Sequence, residues 1–309
     1  MRILVTGREG QLARSLAERA AALPGLSLEA VGRPELDLER PESIEAAIAA
    51  RAPDVVVNAA AYTAVDQAED EPERAFRING AGAGEVAAAA RRAGARIIQV
   101  STDYVFDGTG KGTYAESAPT RPIGVYGRSK LEGEQRVAQA NPDHVILRTA
   151  WVYGAYGRNF VKTMLGAAAR RDELGVVADQ RGNPTASDDL ADGILAAVAA
   201  WRDRPRAGLG GTYHLAGTGE ASWFDFAAAV FEEAARHGLP TAAVRPIGTA
   251  DWPTRAARPA NSALDSSRFA AEFDYRAPPW RQSTAAVVAK LAGAAAPAPI
   301  LDEDDKRDS

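Results

Sequence analysis

The chain has 309 residues, 46% of them hydrophobic and 25% charged, which is enough for one large soluble domain or two modest ones. A net charge of −5 argues against nucleic acid as a partner, because phosphate backbones need a clustered positive field, and leaves room for a local basic pocket around one small anionic ligand. With no cysteine and only three scattered histidines, His144, His214 and His237, disulfides and thiolate catalysis are excluded and no metal site is expected.

In chain order, apolar runs predict strands at Ile3–Thr6, Leu26–Val31, Val55–Asn58, Ile97–Ser101 and Val145–Thr149. Ala-rich stretches between them predict helices near 10–22, 41–51, 72–93 and 128–140. Strands that are apolar throughout and separated by helices mean a parallel sheet covered on both faces. Right-handed crossovers make this a Rossmann-type, doubly wound α/β fold. After Trp151 the pattern loosens: helices are expected at 159–171, 187–201, 222–237 and 280–292, with short strands at Val176–Ala178 and Thr212–Leu215. The expected division is a dinucleotide-binding domain of residues 1–150 and 186–203, and a smaller α/β substrate-binding region of 151–185 and 204–292. An acidic, flexible tail is expected at 293–309. The N-terminus reads as a strand rather than a leader, and no apolar run approaches the ~20 residues of a membrane span. A cytoplasmic protein that does not contact membranes is expected.

The first strand runs into Gly7-Arg8-Glu9-Gly10-Gln11-Leu12-Ala13 and then a helix. Gly7 permits the tight turn and Gly10 lets the backbone approach a pyrophosphate. The helix N-terminus supplies free N–H groups. The second strand ends in Val31-Gly32-Arg33, without the acid that would favour NAD; Arg33 is placed to pair with a 2′-phosphate, which favours NADPH with NADH as a second possibility. Asp37-Leu38 follows and would flank the adenine. The third strand ends in Asn58-Ala59-Ala60-Ala61-Tyr62-Thr63, whose small residues leave space along the sheet edge.

The fourth strand delivers Ser101-Thr102-Asp103-Tyr104 at its C-terminal end, and Tyr126 and Lys130 follow at helical i,i+4 spacing. Hydride addition to a ketone builds negative charge on oxygen. A phenol can protonate that oxygen, and an ammonium nearby would lower the phenol's pKa from its ordinary ~10. Thr102 can hold the same oxygen. The expected catalytic set is Tyr126, Lys130 and Thr102, with Lys130 also holding a nicotinamide ribose hydroxyl.

These residues lie within longer motifs: Val57 to Asp66, Ser101 to Gly108, Val125 to Lys130, Arg148 to Gly154, Asn159 to Met164, Asp179 to Thr185 and Arg258 to Ser262. On them the chain resembles the dTDP-4-dehydrorhamnose reductase family of extended short-chain dehydrogenases/reductases over residues 1–292. The resemblance implies reduction of a 4-keto-sugar nucleotide, a small-molecule substrate, in dTDP-rhamnose synthesis. It implies Tyr126 as proton donor, Lys130 as its cofactor-binding partner, and Thr102 as the residue that tunes the site. Gly10-Gln11-Leu12, Asp37-Leu38 and Ala61-Tyr62-Thr63 match cofactor-binding stretches. Thr102, Asp103, Trp151, Asn159 and Arg258 match the substrate side, with Trp151 against the sugar and Arg258 at the diphosphate. It also implies a homodimer. The magnesium link described in the family uses an acid early in the first helix, where this chain has Arg14-Ser15, so magnesium is not expected.

Two alternatives stay open. A sugar-nucleotide 4-epimerase shares the Tyr-x-x-x-Lys pair but consumes no net cofactor. A non-catalytic subunit resembling the regulatory subunit of methionine adenosyltransferase shares the fold. A 4,6-dehydratase is disfavoured, since Asp103 is followed by Tyr104 and not by glutamate.

Overall fold

The computed structural model describes residues 1–204 and 208–295. A six-stranded sheet forms from β1 (Arg2–Thr6), β2 (Ser27–Val31), β3 (Val55–Asn58), β4 (Arg96–Thr102), β5 (His144–Thr149) and β6 (Gly211–His214), in the spatial order β6-β5-β4-β3-β1-β2. Every pairing in it is parallel. The order reverses direction between β1 and β3, and ligands of such sheets lie outside the strand ends at that reversal. The Rossmann-type expectation holds.

The strands are apolar throughout because both faces are covered. Val55, Val56 and Val57 have almost no solvent exposure. On one face Ile3, Val5, Val55 and Val57 pack with Leu16 of α1 (Gln11–Ala20) and with Leu190, Ile194 and Val198, while Leu4, Val56 and Ile97 on the other face pack with Ile44, Ile48, Val86 and Val137. These partners come from α2 (Pro41–Arg51), α3 (Ala83–Arg92), α4 (Val125–Ala140) and the helix Ser187–Asp203.

Three features differ from the sequence expectations. The helix expected at 72–93 is broken: an α-turn, Pro72–Phe76, is followed by a π-helical turn, Arg77–Gly82, before α3 begins. The wider turn rotates Asn79 inward, where its amide has partners described below. Secondly, Gly211–His214 is not part of a separate region but the sixth strand of the main sheet, and the helix Ser267–Phe273 packs Phe269 and Phe273 against the core beside it. The expected division at residue 204 therefore cuts through the sheet. Thirdly, the last helix runs Trp280–Ala295, past the expected end at 292. The remainder of the expected tail, 296–309, lies outside the described residues.

The second region has its own core. Tyr153, Val161, Leu174, Val176, Phe226, Val230, Trp280 and Val288 pack together around the helices Phe160–Ala168 and Trp223–Arg236. The strand Glu173–Val177 pairs in parallel with Ala243–Ile247, which carries no clear strand pattern in the sequence. Among the described residues no helix is long and apolar enough to cross a membrane.

Candidate active site

Two loops meet at the sheet reversal. Gly7 has φ +86°, and a Cβ built there would lie 3.2 Å from the Ala60 backbone, so the β1 and β3 loops touch. The Gly7 and Arg8 N–H groups both donate to the Val31 carbonyl, at 2.7 and 3.1 Å. Gly10 is the N-cap of α1 and supplies no side-chain cap, which leaves that helix terminus to the backbone N–H groups alone. A polar chain ties the strand ends together. Thr6 Oγ1 donates to Asn58 Oδ1 at 2.6 Å, Asn58 Nδ2 donates to Gln99 Oε1 at 2.7 Å, and the Ala60 N–H donates to Thr6 Oγ1 at 3.0 Å. The cradle has the shape and free donors that a dinucleotide's pyrophosphate requires.

Arg33 lies beyond the end of β2 and is exposed. Leu38 is buried, while the Asp37 carboxylate accepts from the Glu39 N–H at 3.0 Å. The Tyr62 N–H donates to Asn79 Oδ1 at 2.8 Å. Asn79 Nδ2 donates back to the Tyr62 carbonyl and to Ser129 Oγ, each at 3.0 Å, and Ser129 Oγ donates to the Tyr126 carbonyl at 2.8 Å. Asn79 thus joins the Ala61-Tyr62-Thr63 loop to the first turn of α4. Sequence reasoning passed over it, because a lone Asn in a helical stretch carries no signal; the Gly80 and Gly82 beside it were the available hint.

At the end of β4, Thr102 and Asp103 are buried. Tyr126, in the first turn of α4, is half-buried with its hydroxyl on the Thr102 side, and its ring meets Tyr104 edge-on at 5.5 Å. This close approach needs Gly127: a Cβ there would fall 2.1 Å from the Tyr104 carbonyl oxygen. The Glu69 carboxylate accepts from the Val125 N–H at 2.8 Å and anchors the start of the helix. Lys130 is buried, and its Nζ donates to the Val100 carbonyl at 2.6 Å.

Electrostatics depart from expectation at one point. The lowering of the Tyr126 pKa by Lys130 is not present. Burial pushes the phenol well above its ordinary value, the Thr102 hydroxyl pulls the other way, and Asp103 and Tyr104 add to the rise. The Lys130 ammonium is instead turned to Val100. Burial lowers its pKa to about 8, with Glu134 opposing. Burial pushes Asp103 up to about 6, against the nearby Ser262 and Thr102 hydroxyls. Thr102 Oγ1 donates to Asp103 Oδ1 at 3.0 Å, while Asp103 Oδ2 is buried without a hydrogen-bond partner.

The expected substrate residues are spread around this centre. Trp151 has φ +47° and stacks on Trp223 with ring centroids 3.6 Å apart, and Trp223 donates to Gln180 at 3.2 Å. Arg258 donates to Asp66 at 2.7 Å, lies 6.0 Å from the Tyr104 ring centre, and leaves Nη1 buried and unpaired. Its firm partner is thus a carboxylate of this chain. Asn159 caps the helix Phe160–Ala168, donates to the Gly154 and Tyr156 carbonyls and reaches Gln11 at 3.4 Å, so its amide is largely spent on its own loop. Leu12 is buried beneath the glycine loop, and Gln11 donates to the Val152 carbonyl at 3.2 Å. Among the described residues no group of three or more acids or histidines is gathered to hold a metal. Ser15 instead donates to Asp188, and Lys290 approaches the same carboxylate at 3.4 Å, so these residues do not fit a magnesium link.

Residues 1–292 match the family model described as the RmlD substrate binding domain. The chain is 47% identical to a dTDP-4-dehydrorhamnose reductase of Sinorhizobium fredii, covering 93% of this chain and 97% of that one. It is 41% identical to that of Escherichia coli, covering 91% and 95%. A solved dTDP-4-dehydrorhamnose reductase of Bacillus anthracis in complex with NADP superimposes with a TM-score of 0.86 at 35% identity, covering 94% of this chain and 99% of that one. The chain belongs to the dTDP-4-dehydrorhamnose reductase family.

Proposed function

We propose that this protein reduces the 4-keto group of dTDP-4-dehydro-β-L-rhamnose to dTDP-β-L-rhamnose, with NADPH as the preferred nicotinamide cofactor and Tyr126 as the proton donor. The observation that carries this reading is the meeting of Thr102, Tyr126 and Lys130 at the end of β4, beside the Gly7–Gly10 cradle. Gly7, Gly10, Gln11 and Leu12 would hold the pyrophosphate and Arg33 the 2′-phosphate. Asp37 and Leu38 would flank the adenine, and Ala61, Tyr62 and Thr63 would line the path across the sheet edge. The bound nicotinamide supplies the hydride for the carbonyl carbon.

The chain's own groups do the rest. A phenol held above its ordinary pKa is protonated at neutral pH, which suits an acid that delivers its proton to the carbonyl oxygen. Thr102 fixes that oxygen, and Lys130, with a pKa of about 8, remains mostly charged at neutral pH and would hold a nicotinamide ribose hydroxyl. Asp103 and Trp151 would contact the sugar, Arg258 the diphosphate, and Asn159 the substrate side of the loop. The protein is proposed to work in the cytoplasm as a homodimer without magnesium. Incubation with the keto-sugar nucleotide and NADPH should consume one cofactor per sugar nucleotide reduced. Conversion of the sugar without cofactor loss would mark an epimerase, and no conversion with a captured synthetase partner would mark a non-catalytic subunit.

A further inference from the structure

Beyond Tyr126 and Lys130, α4 carries a third inward group one turn on. Glu134 follows Lys130 at i+4, and each is only 5% exposed. Residues 126, 130 and 134 face the last three residues of β4. Tyr126 lies on the Thr102 side, Lys130 donates to the Val100 carbonyl at 2.6 Å, and the Ser101 hydroxyl donates to Glu134 Oε1 at 2.6 Å. Behind Glu134, Arg148 of β5 donates through Nε to Oε1 at 2.9 Å and through Nη2 to Oε2 at 2.7 Å. The guanidinium itself lies 5.2 Å from the Phe106 ring centre.

We propose that Glu134 is a positioning residue for the reduction: clamped by Ser101 and Arg148, it locks α4 in register with the end of β4 and so holds the Lys130 ammonium in its place beside Val100. This rests on the reductase reading above. A buried ion pair contributes little stability compared with apolar residues of the same volume, so packing alone gives no reason for one here. Its neighbours do give a reason. The charged or titratable groups around Lys130 are Tyr126 and Glu134 on its own helix, Asp103 at the end of β4 and Arg148 on β5. Glu134, one turn on and equally buried, favours the charged amine against the burial that disfavours it. Loss of Glu134 therefore leaves a neutral amine at lower pH.

The test uses Glu134→Gln and the paired replacement Glu134→Leu with Arg148→Met, which removes the ion pair without stranding the cation. Two readouts are followed against pH: turnover of the keto-sugar nucleotide, and NADPH affinity from the quench of its fluorescence, which needs no substrate. The alkaline loss of both should move down by about one pH unit in Glu134→Gln, which leaves the Arg148 cation uncompensated, and by less in the double variant, which removes the cation with the anion. At the pH of the wild-type midpoint a full one-unit shift is a loss of about fivefold relative to wild type. Glu134→Asp, which keeps the charge, should restore most of the shift. Unmoved profiles in folded variants, a uniform drop at every pH, or failure of both neutral variants to fold would each assign Glu134 to structure alone and overturn the proposal. Wild-type protein that binds NADPH but does not turn over would instead remove the reductase reading, leaving the affinity profile to decide on Glu134.

Discussion

Replacing Asn79 with alanine tests how the site is held together. Asn79 is 2% exposed and satisfies both the N–H and the carbonyl of Tyr62 while bonding Ser129. Alanine leaves the two Tyr62 backbone groups buried and unpaired, at ~1–3 kcal/mol each. Water admitted to the small cavity would recover part of this, so a loss of about 3 kcal/mol is expected. For a domain of this size that is roughly 6–12 °C in melting temperature. The damage should reach the chemistry, because Ser129 in turn holds the Tyr126 carbonyl at 2.8 Å. Urea unfolding and steady-state kinetics on Asn79→Ala, Ser129→Ala and the double variant form a cycle that isolates the bond between them, expected at about 1 kcal/mol of coupling. A loss under ~1 kcal/mol for Asn79→Ala, or strictly additive effects, would refute the role given to the π turn.

Two further outcomes follow from the geometry. In Gly182→Ala the new Cβ would lie 2.6 Å from the Trp151 ring, whose face is already covered by Trp223, so Trp151 must move. The KM for the sugar nucleotide should rise about tenfold with the KM for NADPH little changed, at a stability loss of ~1–3 kcal/mol; an unchanged sugar KM would remove Trp151 from the substrate side. Asp103→Asn should stabilise the protein at neutral pH. The folded pKa is raised from 3.8 to about 6, so the folded state binds more protons in that window and stability falls as pH rises through it. At pH 7 the penalty is on the order of 2–3 kcal/mol. Asp189, raised to about 6 in the same way, remains in the variant. Chemical unfolding between pH 4 and 7 should show a flatter profile for Asp103→Asn, and an unchanged slope would contradict the burial argument.

The sheet was legible because its strands are buried on both faces, so Val55-Val56-Val57 and its fellows are apolar without alternation. Gly7, Thr102, Tyr126 and Lys130 were legible because their chemistry depends on fixed spacing beside strand ends. Partnerships set by tertiary contact were not. Asp66 lies 192 residues from the Arg258 it binds, and nothing local announces the pair. The Trp151–Trp223 stack and the clamp on Glu134 likewise join separate elements. The surroundings of Tyr126 escaped for a related reason. Spacing placed an ammonium nearby, but neither burial nor the carbonyl of Val100 that engages it can be read from i,i+4 positions. The strand at Ala243–Ile247 escaped because its residues are mostly exposed and interrupted by Pro246.

The most direct measurement follows the hydride and the proton together. Wild-type protein and Tyr126→Phe are each given dTDP-4-dehydro-β-L-rhamnose and NADPH deuterated at the transferring position. Wild type should yield dTDP-β-L-rhamnose with deuterium at C4 of the sugar, and Tyr126→Phe should fold normally and lose about 10²–10⁴-fold in rate. A product without deuterium at C4, or full turnover by Tyr126→Phe, would contradict the assignment.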